Sequence, residues 1–501
     1  MVKRILSLFL FLTLGGIIIA QSTNKCWSID YETWNTTGQP ALYIDCGNDD
    51  EFNLGGEFTL ELWARAYTFA ENRKILGKIF YNEPIDNGYV LGFENLHVYS
   101  EYFNPSIQQV PRPGDGPMDP DSSFVHIVST YSNIDGNLKN YVNGVLTGET
   151  TMFPNTAVVA NDNPFIIGNA PWDFLSYQFY GDLDEVRIWK KALNQTEIQS
   201  SMHSQLLGTE DDLVAYYNFN EAELGLVPDN GPNGFNGTLS NFDHESTNWA
   251  VSGAPVGDET MTQMLDVDAI WYHNNENYHK LITNNGILVI GDILEKDFSK
   301  YLVAGYNGND GVESSFAPLS NPVGFIRTNR EWYFNTAGNI GGGLTITLDD
   351  AGVNGEFPSN EDPQNYALLY RSNITENFVA LAHPTIPFEG ILQFNDQLFK
   401  DGFYALGYST EEFVLQGPDA IFNEVFQNLI VSPNPTNNFM NIKGLPFNTN
   451  LSLLNAKGML LGQYKLGDGD NSIDLSNLSN GLYFVQFEYK GQRTVRKIIK
   501  K

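Results

Sequence analysis

Two carboxylates held about 5–5.5 Å apart can attack and protonate a glycosidic bond. On a β-strand the short spacings E-x-D-x-E or E-x-D-x-x-E hold two such acids on one face. Neither pattern occurs in this sequence. "EDDLVA" at Glu210 and "EKDFSK" at Glu295 come nearest, and they end in Ala215 and Lys300, without the second acid. There is no G-x-S-x-G nucleophile turn and no H-E-x-x-H zinc motif. His273 and His279 flank Glu276 in "WYHNNENYHKL", a spacing that fits no strong metal motif. No catalytic residue is assigned, and the chain is expected not to be an enzyme. Recognition chemistry is better represented. Aromatic rings stack on pyranose faces, while amides and carboxylates take up hydroxyls. The stretch "NAPWDFLSYQFYG" offers Trp172, Asp173 and Tyr177, and "SEYFNPSIQQVPRPGDGPMDPDSS" offers Tyr102 and Phe103 on a Pro/Gly-rich loop.

Charge limits the partners. The 501 residues hold 28 Lys+Arg against 60 Asp+Glu, a formal charge of −32. This excludes nucleic-acid binding through a general basic field. It leaves carboxylates available for divalent cations. From Asn428 to Lys501 the balance reverses: nine Lys/Arg against four Asp/Glu, leaving −37 on the rest. The chain opens "MVKRILSLFLFLTLGGIIIAQS", with Lys3 and Arg4 ahead of an uncharged apolar stretch from Ile5 to Ala20. At 16 residues that stretch is short of the roughly 20 a membrane-spanning helix needs. It reads as a cleavable export signal over 1–20, with no transmembrane segment in the mature chain. Export makes the two cysteines legible. Cys26 and Cys46 form an isolated pair bound for an oxidising compartment, and a disulfide between them is expected.

The elements that must carry these residues are strands. "FTLELWARA" alternates Phe58, Leu60, Leu62 and Ala64 against Thr59, Glu61, Trp63 and Arg65, the pattern of a half-buried strand. "LKNYVNGVLTGE" sets Asn143-Gly144 between apolar arms, a hairpin signal. "GDLDEVRIWKKALNQTEIQ" runs from a strand into one short helix, with Asn194 as N-cap and Glu197 three residues on. "LVAYYNF" and "NGFNGTLSN" complete a unit near Gly253.

The phrases "ALYIDCGNDDEFNLGGEFTLELWARA", "LKNYVNGVLTG", "FIIG" and "GDLDEVRIWKKALNQTEI" resemble the bacterial laminin-G-like branch of the concanavalin A-like jelly rolls. The resemblance covers about Cys26 to Gly253. It implies two antiparallel sheets packed face to face, in a family that binds carbohydrate, proteins or calcium or serves as a spacer. It also implies a structural Ca²⁺ held by Asp184 at the start of the last strand, with Asp49 and Asp50 in "GNDDEF" as further oxygens. From Ala254 to about Tyr408, "TNREWYFNTAG", "YALLYRS" and "DGFYALGYS" look like an accessory β-module found beside such domains in Bacteroidetes surface proteins.

The end of the chain, "LIVSPNPTNNFMNIKG" with "NGLYFVQFEYKGQRTVRKIIKK", resembles the type A C-terminal sorting domain of the type IX secretion system. Ser432, Pro433, Asn434 and Pro435 open the motif; Gly481, Tyr483, Gly491 and Lys497 mark its later strands and turn. The resemblance implies passage through the periplasm, recognition by the type IX machinery, and release or surface attachment.

These readings predict an all-β protein. A signal peptide (1–20) is followed by a jelly-roll sandwich (21–253), a β-rich accessory module (254–416), a linker (417–427) and a small immunoglobulin-like sorting domain (428–501). The function expected is a secreted or surface-attached binding protein contacting glycans or cell-surface proteins. The alternatives are a divergent carbohydrate-active enzyme on the same fold and a structural surface or matrix component.

Overall fold

The computed structural model describes residues 24–29, 42–67, 72–80, 87–94, 97–103, 116–117, 124–151, 154–170, 177–222, 225–240, 249–272, 281–284, 287–292, 299–318, 322–338, 340–349, 351–359, 362–384, 390–415, 430–432, 436, 438–443, 449–455, 460–467, 471–489 and 492–501. The expected signal segment lies outside them. Among the described residues no helix is long and apolar enough to cross a membrane. The protein is all-β, and the chain divides into two compact units.

Among the described residues the first unit begins with sixteen strands. They are β1 (Lys25–Ile29), β2 (Ile44–Asp45), β3 (Phe58–Ala66), β4 (Arg73–Phe80), β5 (Asn87–Glu94), β6 (His97–Phe103), β7 (Gly116–Pro117) and β8 (Val125–Ser132). There follow β9 (Asn137–Val142), β10 (Val145–Thr151), β11 (Ile166–Ile167), β12 (Gly181–Trp189), β13 (Leu213–Tyr217), β14 (Leu226–Val227), β15 (Gly237–Leu239) and β16 (Trp249–Val251). One sheet runs β10-β9-β8-β3-β12-β1-β16, with β13 and β1 sharing the same side of β12 end to end. The other runs β14-β15-β2-β11-β4-β5-β6-β7. Their inner faces form one apolar core that includes Leu60, Leu62, Leu91, Phe93, Ile167 and Leu183. This is the expected jelly-roll sandwich.

Local signals behave as their chemistry requires. Asn143 (φ 49°) and Gly144 (φ 71°) close the β9–β10 hairpin in the left-handed region, where asparagine and glycine are tolerated. Helix α1 (Gln195–Ser201) starts in a full capping box: Asn194 Oδ1 accepts from the Glu197 amide, and Glu197 Oε2 accepts from the Asn194 amide.

The outer face of β3 departs from expectation, because it is not solvated. Glu61 and Trp63 have no exposed surface. Glu61 Oε1 accepts from Arg187 Nη1 at 3.1 Å and from His126 Nε2 at 3.0 Å, and its Oε2 accepts from Trp189 Nε1 at 3.1 Å. Arg187 also donates to Glu185 at 2.8 Å and to the carbonyls of Ser201 and Ser204 at 3.1 and 2.7 Å. A bulge in β12 between Asp184 and Arg187, with Glu185 at φ 53°, turns Glu185 into this network. Burial pushes the Glu61 carboxyl up, but Arg187 and the His126 bond outweigh it and hold it below the usual range. Burial keeps His126 neutral against the pull of Glu61. Trp63 Nε1 donates to the Met202 carbonyl, and its ring meets His203 and Trp271. The helix and the segment after it therefore cover the sheet.

The expected disulfide is absent, and both thiols are free. Successive side chains of a strand point to opposite faces. Trp27 and Ile29 face the sandwich core, which puts Cys26 on the outer face of its sheet, where its thiol contacts the Ala250 carbonyl. Cys46 lies inside the core, after β2 in the other sheet. No bridge can span that arrangement without moving a strand. Burial pushes both thiols well above their usual pKa.

Past the jelly roll, the first unit continues with strands Leu265–Trp271, Tyr301–Tyr306 and Trp332–Ala337, paired in that order. In the second unit, Gly402–Tyr408 pairs with Tyr366–Arg371 and Ile326–Thr328. Arg371 forks onto Glu331 at 2.8 and 2.6 Å and lies over Phe378, while Arg327 shares Glu331 at 2.9 Å. The C-terminal strands form a three-stranded sheet (Ile430–Ser432, Phe439–Lys443, Asn471–Asp474) and a four-stranded one (Leu460–Leu466, Thr449–Asn455, Gly481–Tyr489, Gln492–Lys500). Met440, Ile442, Leu451, Val485, Phe487 and Ile498 build their core.

Removing one partner of a buried charge network leaves the others unpaired. Arg187→Met is expected to cost about 3–5 kcal/mol, read as a lower denaturant midpoint of the jelly roll. Lys191→Ala, which breaks an exposed pair with Glu197, should change it by under about 1 kcal/mol. In the native protein neither cysteine should take up an alkylating reagent. After unfolding without reductant both should, which intact mass will report as two additions.

Candidate functional site

Polar and aromatic side chains gather at one end of the sandwich, where β3 leaves its sheet and β4 enters the other. Register places Arg65 (β3), Asp182 (β12) and Ser28 (β1) side by side in one row on the outer face. Tyr67, just past β3, donates to Asp182 Oδ1 at 2.7 Å. The Arg65 guanidinium approaches Asp182 at 3.5 Å and lies 5.3 Å from the centre of the Tyr67 ring. Burial raises the Asp182 carboxyl, against the bonds from Ser28 and Tyr67 and the charge of Arg65. Tyr67 is 38% exposed, so an aromatic face backed by a cation and a carboxyl meets solvent here.

The second sheet carries a separate, buried polar group on its own outer face. Lys74 (β4), Gly92 (β5) and Tyr99 (β6) form one row across three strands. A Cβ on Gly92 would lie 2.3 Å from the Arg73 carbonyl and 3.2 Å from the Tyr99 hydroxyl. The glycine thus lets the lysine and tyrosine meet above the middle strand. Lys74 Nζ bonds Tyr99 Oη, reaches Glu101 at 3.3 Å and lies 5.6 Å from the centre of the Tyr177 ring. Tyr99 Oη in turn bonds Asn72 Oδ1. Tyr177 is half-buried and held by its carbonyl, which accepts from the Lys74 amide at 2.9 Å. One ammonium, one carboxylate, one amide and two phenol rings converge, with Lys74, Tyr99 and Glu101 buried and bonded to one another.

Of the residues assigned to recognition by sequence, Tyr177 joins this group, while Trp172 and Asp173 lie outside the described residues. Tyr102 and Phe103 require correction. They end a strand, β6, and both are buried. Tyr102 stacks on Tyr131 inside the core, and Phe103 packs with Ile79 and Val90 on the other face. Arg65, Tyr67, Asp182, Lys74, Tyr99 and Glu101 were not singled out by sequence. The signal was the alternation in "HVYSEYF", which puts His97, Tyr99 and Glu101 on one side of a strand.

The residues expected to hold calcium do not come together. Asp184 has no exposed surface; it accepts from Ser252 Oγ at 2.5 Å and from the Glu185 amide at 2.8 Å. Burial and the Glu185 carboxylate hold its pKa well above the usual range. Asp49 and Asp50 belong to the other sheet's loops, at a short 3₁₀ turn after β2. Among the described residues no group of three or more His, Cys, Asp or Glu is arranged to hold a metal. His273, Glu276 and His279 lie outside those residues. In the sorting motif, Ser432 ends a strand, Gly481 opens another and Lys497 lies opposite Phe484. Tyr483 is buried and donates to the Ser479 carbonyl at 2.7 Å. Pro433, Asn434, Pro435 and Gly491 lie outside the described residues.

Comparison with known proteins supplies the families. Residues 37–199 match the family model of the concanavalin A-like lectin/glucanases superfamily, and residues 431–501 match that of the secretion system C-terminal sorting domain. No curated protein matches the chain. Among solved structures, a protein of Bacteroides ovatus ATCC 8483 assigned provisionally to carbohydrate binding is 19% identical over 47% of this chain, with a TM-score of 0.35. The match spans 62% of that protein, under two thirds of its length. The CBM40 of a Ruminococcus gnavus sialidase, bound to α2,3 sialyllactose, is 13% identical over 31% of this chain and 90% of its own, with a TM-score of 0.27. A Limulus polyphemus SAP-like pentraxin is 11% identical over 36% and 82%, with a TM-score of 0.28. The chain thus carries a laminin-G-like domain of the concanavalin A-like superfamily and, at its end, a type IX secretion sorting domain that marks it for export.

Proposed function

We propose that this is a secreted or surface-attached glycan-binding protein, and that its jelly roll binds at the sandwich end built by Arg65, Tyr67 and Asp182. One observation carries the reading: a partly exposed tyrosine ring is backed by an arginine and bonded to a carboxyl. Sugars need that combination of a stacking face and fixed hydroxyl partners. The acids support binding without bond cleavage. Glu61, Asp184 and Glu185 are buried and engaged within the fold, and no strand carries a paired-carboxylate motif.

A glycan array probed with the exported protein should give specific binders. Tyr67→Ala should weaken the best of them at least about tenfold, ~1.4 kcal/mol, with the far-ultraviolet spectrum unchanged. Array binding untouched by both Tyr67→Ala and Arg65→Ala would place the site elsewhere. Incubation with β-glucans, alginates and host-type glycans should release no new reducing ends or unsaturated products. Turnover abolished by a single Asp or Glu substitution would make the protein an enzyme.

The tail acts as an address for the type IX machinery. Deleting residues 428–501 should leave the protein in the periplasm, and fusing them to a signal-bearing reporter should carry the reporter outside. Parental levels of the truncated protein in the medium would refute the sorting role.

A further inference from the structure

In the second unit, two buried arginines that share Glu331 lie against two phenylalanines of opposite character. Phe378 belongs to the core. It has no exposed surface, packs with Phe325 and Leu369, and its ring centre is 4.6 Å from the Arg371 guanidinium and 4.9 Å from that of Arg327. Phe316 lies over the same two guanidiniums, at 4.8 Å from Arg371 and 6.0 Å from Arg327, yet it is 39% exposed. Its backbone has φ 54°, in the left-handed region that a bulky side chain seldom adopts. Hydrogen bonds fix the chain there. The Ser315 carbonyl accepts from Arg327 Nε at 3.1 Å, and the Phe316 carbonyl accepts from the Phe378 amide at 3.0 Å. Glu313 pairs with Arg327 and accepts from the Ser315 hydroxyl. Beside the ring, residues 372–377 are all exposed. That loop is set by Arg371, which donates to the Ile374 carbonyl at 2.5 Å, and by Ser372 Oγ, which donates to Glu376 at 2.6 Å.

We infer that Phe316 is a stacking platform for a neutral hexopyranose, a second glycan contact made by the second unit. The inference rests on the reading that the protein binds glycans, but not on the Tyr67 site. Neither the exposure of the ring nor its backbone angle favours the fold, and strain of this kind is kept where a side chain must be aimed. The arginines hold the ring by its quadrupole and leave part of it to solvent. A ring fixed in advance loses little freedom when a sugar stacks on it. The Ser315 hydroxyl and the Glu313 and Glu376 carboxylates, carried by the same two segments, suit sugar hydroxyls. The same carboxylates repel an anionic sugar, and the nearby cations are buried and engaged by Glu331, so a neutral ligand is selected.

The test places para-fluorophenylalanine at position 316 of the exported protein. Its fluorine resonance is followed during titration with soluble oligosaccharides of β-glucan, mannan and galactan, and with an oligouronate. At least one neutral oligosaccharide should move the line saturably, in the parental protein and in Tyr67→Ala alike, and the oligouronate should not. Phe316→Gly accepts the same backbone angle without strain and removes the ring. In the Tyr67→Ala protein it should weaken that oligosaccharide at least about tenfold by calorimetry, with the thermal midpoint within about 3 °C of its parent. A line that no sugar moves would overturn the inference, whether or not the Tyr67 site binds. A Phe316→Gly midpoint that drops further while binding is unchanged would make the ring a seal over the arginines and sink it too. A line moved by the oligouronate alone, or by a peptide digest and no sugar, would reject the neutral-sugar assignment.

Discussion

A guanidinium and a carboxylate, Arg187 and Glu61, face each other across two central strands with no exposed surface. Burying such a pair is costly unless other groups satisfy most of its remaining hydrogen-bonding sites. That requirement reaches well beyond the pair. His126 and Trp189 bond the carboxylate, and Glu185 and two backbone carbonyls take the remaining hydrogens of the two terminal guanidinium nitrogens. Those carbonyls belong to Ser201 and Ser204, so the helix end and the turn after it are drawn onto the sheet. Tyr216 then donates to Glu185, tying β13 into the same set. One pair of opposite charges thus specifies which segment covers the outer face of the sandwich, a choice that apolar burial alone would leave open.

Much of the fold was legible because its signals are local. Alternation in "FTLELWARA" identifies the inner residues of β3, Asn143-Gly144 sets a hairpin, and Asn194 with Glu197 caps a helix. In the tail, Tyr489 pairs with Gln492, the register expected for the last hairpin. What failed required knowledge of partners distant in sequence. Glu61 and Trp63 read as solvent-facing because the sequence alone does not show that residues 201–204 return over them. Tyr102 and Phe103 read as a loop because the prolines that follow obscured the end of a strand.

The second sheet's polar group shows the same division. Tyr177 was found from its aromatic-rich neighbourhood, whereas Lys74, Tyr99 and Glu101 become a group only when β4, β5 and β6 lie side by side over Gly92. The tail is a simpler case. Its described core draws on residues of the tail alone, and its charge opposes that of the rest of the chain. A short segment with its own core and its own charge can be recognised whatever cargo precedes it.

The two thiols facing opposite sides of a sheet bear on the order of events during export. Once folded, the protein is indifferent to the redox state around it, since neither sulfur can be reached and neither contributes a crosslink. The unfolded chain is not protected in this way. Cys26 and Cys46 are close enough in sequence to close a loop readily. Joined early, they would hold β1 and β2 so that the two side chains could not turn to their native faces. In an oxidising compartment, folding and oxidation therefore compete, and this chain reaches its native state when folding wins.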